Sequence, residues 1–217
     1  MFRDREDAGH QLAKYLKDRK LIEPLILAIP RGGVVIGAAL ATELSADLDV
    51  VLARKLRCPS QPELAVGALS ENGEIFLNES IAEMLQLTPE DLAEERELQL
   101  AEMARRRTMF RSVRPQAPIA DRSIIVTDDG IATGSTMLAA LHWLQTQKPF
   151  EVIVAVPVAS PDRLEPIHKW CDEVLCLMQP QDFWAVGQYY YDFQPVSDEE
   201  AVFILKRQAP DNASLHR

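Results

Sequence analysis

Two adjacent carboxylates, Asp128 and Asp129, stand between an apolar β-branched run and a turn of small residues and hydroxyls. The run is Ile124-Ile125-Val126-Thr127, and the turn is Gly130-Ile131-Ala132-Thr133-Gly134-Ser135-Thr136. Apolar residues then recur at helical spacing from Met137 to Leu144. Strand, acid pair, small-residue turn and helix form the layout of a phosphate site. Backbone N–H groups of such a turn converge on an anion, and the helix N-terminus adds its dipole. Thr133, Ser135 and Thr136 each add a hydroxyl donor. Carboxylates beside an anion site make sense if they face something else, such as sugar hydroxyls. A phosphate on the turn and a diol on the acids together describe a ribose 5-phosphate.

The commoner phosphate loops are excluded. No Gly-x-x-x-x-Gly-Lys-Ser/Thr occurs, and no Gly-x-Gly-x-x-Gly follows a strand. Two further groups belong with the acid pair. Arg31-Gly32-Gly33 ends the apolar run Leu25-Ile26-Leu27-Ala28-Ile29, and Arg54-Lys55 follows the run Leu48 to Leu52. In an open α/β sheet, ligands sit outside the carboxyl ends of the strands, so the three groups are expected to converge. Consecutive glycines let backbone N–H groups approach an anion, and Arg and Lys supply a fork and a point charge.

The stretch Asp128-Asp129-Gly130-Ile131-Ala132-Thr133-Gly134-Ser135-Thr136 resembles the phosphoribosyl pyrophosphate (PRPP) motif of type I phosphoribosyltransferases. Taken whole, the chain resembles a bacterial group of predicted phosphoribosyltransferases whose acceptor is not generally assigned. The resemblance implies that Gly130, Ile131, Ala132, Thr133, Gly134, Ser135 and Thr136 form the phosphate-binding turn. Asp128 and Asp129 would hold the ribose hydroxyls. Arg31, Gly32 and Gly33 would form the pyrophosphate turn, which in the family often holds a cis peptide. Arg54 and Lys55 would reach the pyrophosphate. Mg²⁺ would bind to PRPP and water, and touch Asp128 and Asp129 only indirectly. A mobile lid would follow Lys55, with Glu63 as its candidate proton-handling acid. Phe183 and Trp184 would belong to an acceptor-binding hood. One departure matters: family members that use 6-oxopurines carry a carboxylate where this chain has Ala132, so that acceptor class is not expected. The implied activity is Mg²⁺-dependent transfer of the phosphoribosyl group to a nitrogen acceptor, a nucleobase or related amine. The alternative is a PRPP-sensing regulator without transfer activity.

The chain has 217 residues, a 47% hydrophobic share and a formal charge of −10. An acidic protein repels nucleic acid and anionic lipid, so neither is an expected partner, and any anion site must be a local basic island. PRPP and a small acceptor are the expected partners, and a homodimer is compatible with the sequence. No apolar run is long enough to span a membrane, and the charged start Met1-Phe2-Arg3-Asp4-Arg5 does not read as a signal peptide. Cys58, Cys171 and Cys176 fit no metal spacing and read as reduced thiols of a cytoplasmic protein.

The elements that must position these groups alternate strand and helix. They predict a single domain over 1–217: a three-layer αβα fold around a central parallel sheet. Residues 56–114 read as an inserted flap and helical arm. Its first part, 56–73, is a polar, Pro-containing lid loop, and a hairpin turns at Glu71-Asn72-Gly73. Thr88-Pro89 reads as the start of a long helix that ends near Phe110, and Arg105-Arg106-Arg107 as its solvated end. Residues 163–170 read as a helix, 179–195 as the hood segment, and Ser197-Asp198-Glu199-Glu200 as the cap of a last helix.

Overall fold

The computed structural model describes residues 1–77, 79–88 and 90–208, and the side chains of these except Pro62, Glu63, Ala65, Glu79 and Ser80. The Glu63 side chain, Pro89 and the tail beyond Gln208 therefore lie outside what is described.

Five parallel strands form the central sheet: β1 (Leu25–Ala28), β2 (Asp47–Val50), β6 (Ser123–Thr127), β7 (Glu151–Val158) and β8 (Glu173–Met178). Their order is β2-β1-β6-β7-β8, with Ala28 opposite Val50 on one side and Thr127 on the other. Side chains alternate between the two faces of a strand, and here each face has its own core. Ile26, Ala28, Ile125 and Ile153 join Leu12, Ile36, Leu40 and Leu205 on one face. Leu25, Leu27, Ile124 and Val154 join Met137, Leu141, Leu144 and Ile167 on the other. The first layer is α1 (Arg5–Leu16), α2 (Gly32–Leu44) and α7 (Asp198–Arg207). The second is α5 (Ser135–Gln145), the short α6 (Pro161–Leu164) and a 3₁₀ turn at Ile167–Lys169. Sheets buried on both faces need nearly continuous apolar strands, and each fully buried Leu or Ile contributes about 1.5–3 kcal/mol.

The helix ends follow their local chemistry. Asp4 caps α1 by accepting from the N–H of Asp7 at 2.8 Å, and Ser197 caps α7 by accepting from Glu200 at 3.1 Å. Residues 163–170 do not form one helix. Pro166 cannot donate to a continuing helix, and the chain divides into α6 and the 3₁₀ turn.

The insertion differs most from expectation. Instead of an irregular loop, β3 (Ala53–Cys58) pairs antiparallel with β4 (Gln61–Ser70). The expected hairpin at Glu71-Asn72-Gly73 then joins β4 to β5 (Ile75–Leu77). Leu56, Cys58, Val66 and Leu92 make a small core for this flap. α3 (Glu79–Met84) follows, and the arm helix α4 (Ala93–Arg111) begins five residues after Thr88. Thr88 and Asp91 still exchange bonds before the helix, with the N–H of Thr88 donating to Asp91 Oδ2 at 2.8 Å.

A buried charge cluster fastens the arm to the sheet. Arg111 donates to Asp49 Oδ1 at 2.7 Å and to both oxygens of Glu71 at 2.7 Å. Asp49 is 1% exposed and also accepts from the backbone of Val50 and Ala117. Arg114 and Arg122 reach Asp47 in the same region.

Candidate active site

The acid pair stands at the carboxyl end of β6, the middle strand of the sheet. Ile29 N–H donates to Thr127 O at 2.9 Å, which sets the end of β1 beside it. The Asp129 N–H turns back to Asp128 Oδ1 at 2.8 Å. Both residues are half-buried. Burial, then the neighbouring Asp129, pushes the Asp128 carboxyl well above the usual carboxylate range. Burial also raises Asp129, against the pull of Arg5.

Arg5 comes from the first turn of α1. Its Nε donates to Asp129 Oδ2 at 2.8 Å, and its Nη1 donates to the Gln194 carbonyl at 2.8 Å. The guanidinium stacks 3.8 Å from the centre of the Phe193 ring. From the same segment, Tyr190 donates its hydroxyl to the Asp129 carbonyl at 2.7 Å, and burial raises that phenol. The start of the chain and the hood thus both close on one acid.

The Arg31-Gly32-Gly33 turn meets this pair directly. The Pro30–Arg31 peptide is cis. A Cβ at Gly32 would lie 1.9 Å from Asp129 Oδ2, so only glycine permits this approach. The turn after the acids ends at Gly134, which caps α5 with φ +79°. Ile131 N–H donates to Val158 O at 2.9 Å and pins the turn to β7. Ala132 and Thr133 are exposed.

A cavity of about 530 Å³ opens over these groups, within the ordinary range for small-ligand sites. Its floor is Arg31, Gly32, Asp128, Asp129 and Thr136. Arg54 and Lys55 line it from β3, and Arg57 joins them. The arm helix adds Gln99 and Arg106, the hood adds Val186, Phe193 and Pro195, and Val196 follows just beyond it. With Arg5, six cationic side chains face two carboxylates in a chain of formal charge −10. Gln99 is buried and accepts from Arg54 Nε at 2.8 Å. Burial, then the nearness of Arg106, holds the Arg54 guanidinium below its usual range.

The cavity therefore gathers Arg31, Gly32, Arg54, Lys55, Asp128, Asp129 and Thr136. Gly33 lies against the Asp128 backbone just behind it. Gly130, Ile131, Ala132, Thr133, Gly134 and Ser135 shape the adjoining turn and are not among its lining residues. Phe183 and Trp184 do not line it either. Phe183 stacks on Tyr189, and Trp184 is 89% exposed. The side chain of Glu63 lies outside the described residues.

Arg5, Arg57, Gln99 and Arg106 carry no local sequence signal for this site. In the run 105–107, only Arg106 lines the cavity; Arg105 pairs with Glu102 and Asp198, and Arg107 is exposed.

Among the described residues, no group of three or more His, Cys, Asp or Glu side chains could hold a metal ion. Two hard carboxylates in an anion site fit an ion that takes most of its shell from water and ligand phosphates.

A model of the phosphoribosyl transferase domain matches residues 5–194. The chain belongs to the phosphoribosyl transferase domain family. A relative from Mycobacterium tuberculosis strain H37Rv, named "Putative phosphoribosyl transferase Rv0571c", is 39% identical over 213 residues. The alignment covers 98% of this chain and 48% of that relative. The chain thus spans about half the length of the curated relatives it matches. The crystal structure of TT1426 from Thermus thermophilus is 42% identical, with a TM-score of 0.86. That likeness covers 96% of this chain and 99% of that one. The family match includes Arg5 at one end and the hood up to Gln194 at the other.

Proposed function

We propose that this phosphoribosyl transferase domain transfers the 5-phosphoribosyl group of PRPP to a nitrogen of a small acceptor, a nucleobase or related amine. Pyrophosphate is released. The observation that carries this reading is the meeting of the acid pair, the Gly32 turn and a cluster of cations in one cavity. The turn 130–136 and the start of α5 take the 5-phosphate. Asp128 and Asp129 take the ribose hydroxyls. Arg31, Arg54 and Lys55 take the pyrophosphate.

The C1–O bond breaks and its electron pair leaves with pyrophosphate. The lone pair of the acceptor nitrogen forms the new C1–N bond on the opposite face, and the acceptor's proton passes to solvent. Positive charge builds on the ribosyl centre between these events. The carboxylates are held in place to face it, and fixed charge needs no reorganisation as the reaction proceeds. Mg²⁺ held by PRPP and water, with Asp128 and Asp129 beside it, would offset charge on the pyrophosphate. Three free thiols are in keeping with a reducing, cytoplasmic location.

The test is a pyrophosphate-release screen with PRPP, Mg²⁺ and a panel of bases and amines. Release that depends on one acceptor supports transfer. PRPP binding without release on any acceptor would favour a sensor.

A further inference from the structure

With Arg31, Arg54 and Lys55 assigned to the pyrophosphate, Arg57 and Arg106 are the cavity cations left without a role. Arg31 stands at the turn, Arg54, Lys55 and Arg57 share β3, and Arg106 comes from the arm helix. The residue before Arg106, Arg105, donates to Asp198 Oδ2 at 3.0 Å, two residues beyond the cavity-lining Val196. Glu102 accepts from Arg106 Nε at 3.1 Å and orients the guanidinium. Among the described residues, its two terminal nitrogens have no hydrogen-bond partner. Arg57 is exposed, and among the described residues its guanidinium has no ion pair. Arg54, crowded between these two, is fixed by the buried Gln99. Glu102 and Glu95 offset part of this charge, yet burial and Arg106 keep Arg54 below its usual range, so a further anion among these cations is favoured.

The same cavity is also lined by Val186, Phe193, Pro195 and Val196, apolar side chains without a donor, and Arg5 stacks on the Phe193 ring. The acceptor space therefore has both apolar and cationic lining. We propose that the acceptor is a planar ring bearing a negative charge, a carboxylate or comparable oxyanion, received by Arg106 with Arg57 beside it. A guanidinium with both terminal nitrogens open can hold such a group through two parallel bonds. This inference rests on the floor of the cavity being the PRPP site.

The test uses the wild-type chain saturated with PRPP and Mg²⁺. It is titrated calorimetrically with matched ring pairs: a pyridine carboxylate and its carboxamide, a pyrimidine carboxylate and its carboxamide, and an aminobenzoate and its benzamide. In at least one pair the carboxylate is expected to bind about tenfold more tightly or better, as bonds to a charged group allow. Arg106→Gln should reduce that preference to within about twofold, and Arg106→Lys should keep most of it, because the charge remains. Equal or tighter binding of the neutral partner in every pair would overturn the inference, as would a preference that survives Arg106→Gln. PRPP is titrated first, alone with Mg²⁺. If it fails to bind the wild type, the underlying site assignment fails and the inference with it, a result distinct from a missing carboxylate preference.

Discussion

Arg5 Nε and Asp129 Oδ2 lie 2.8 Å apart although 124 residues separate them in the chain. Their side chains are only 10% and 17% exposed. The pair ties the first turn of α1 to the second acid of the Asp128-Asp129 pair, and the bond to Gln194 extends the tie to the hood. Arg5→Gln should therefore misplace Asp129 without dismantling the sheet. The expected result is kcat/KM for pyrophosphate release about ten- to a hundredfold lower, because small displacements of a positioned group cost that much. The melting temperature should fall only modestly. Unchanged kcat/KM would show that Asp129 does not need this partner.

The buried cluster of Arg111, Asp49 and Glu71 has a structural role. Asp49 accepts three hydrogen bonds while 1% exposed. Asp49→Ala leaves the Arg111 guanidinium and two backbone donors short of a partner. The expected loss in urea unfolding is about 3–5 kcal/mol. A loss below about 1 kcal/mol, the level of a surface pair, would mean that the arm is held by its apolar contacts alone.

Burial pushes the thiols of Cys171 and Cys176 up to about 11. A raised thiol pKa keeps the neutral, unreactive form dominant at lower pH. Both cysteines should resist iodoacetamide in the folded protein at about pH 8, with labelling that rises only as pH approaches the raised pKa. Labelling under the first condition as fast as in urea would contradict this.

Ala132 stands exposed on the turn, with a methyl group where 6-oxopurine enzymes of the resembled family carry a carboxylate. A methyl can neither give nor take a proton. Hypoxanthine and guanine should be poor acceptors, since a missing positioned acid costs about a hundred- to ten-thousandfold in rate. Specificity constants across a panel of bases would check it. Efficient transfer to either purine would show that Ala132 does not determine the acceptor.

What the sequence discloses about this site is local. The run from Ile124 to Thr136 carries strand, acids, turn and helix in consecutive residues, and the structure builds each of them there. The alternating strands and helices likewise give the layered fold. The first half of the flap is less legible. Ala53-Arg54-Lys55-Leu56-Arg57-Cys58 lacks strict alternation, because irregular pairing at Leu56, Arg57 and Cys58 breaks the two-residue period. Pro166 is a legible mark of the break between α6 and the 3₁₀ turn. Arg5 and Arg106 belong to the cavity only through tertiary contacts. Their own neighbourhoods are ordinary charged helix, and no pattern in them points to a ligand. The hood shows the same limit: the aromatic cluster is visible, but which rings turn inward is set by packing, which brings in Phe193 and leaves Trp184 outside.

The central claim is that the cavity over Asp128 and Asp129 binds PRPP with Mg²⁺. Calorimetric titration of PRPP into the wild-type chain, with Mg²⁺ and again with a chelator, tests it most directly. The account predicts one site per chain with Mg²⁺ and much weaker binding without it, because two carboxylates and a polyanion repel unless a cation lies between them. Absence of binding, or equal affinity with and without Mg²⁺, would contradict it.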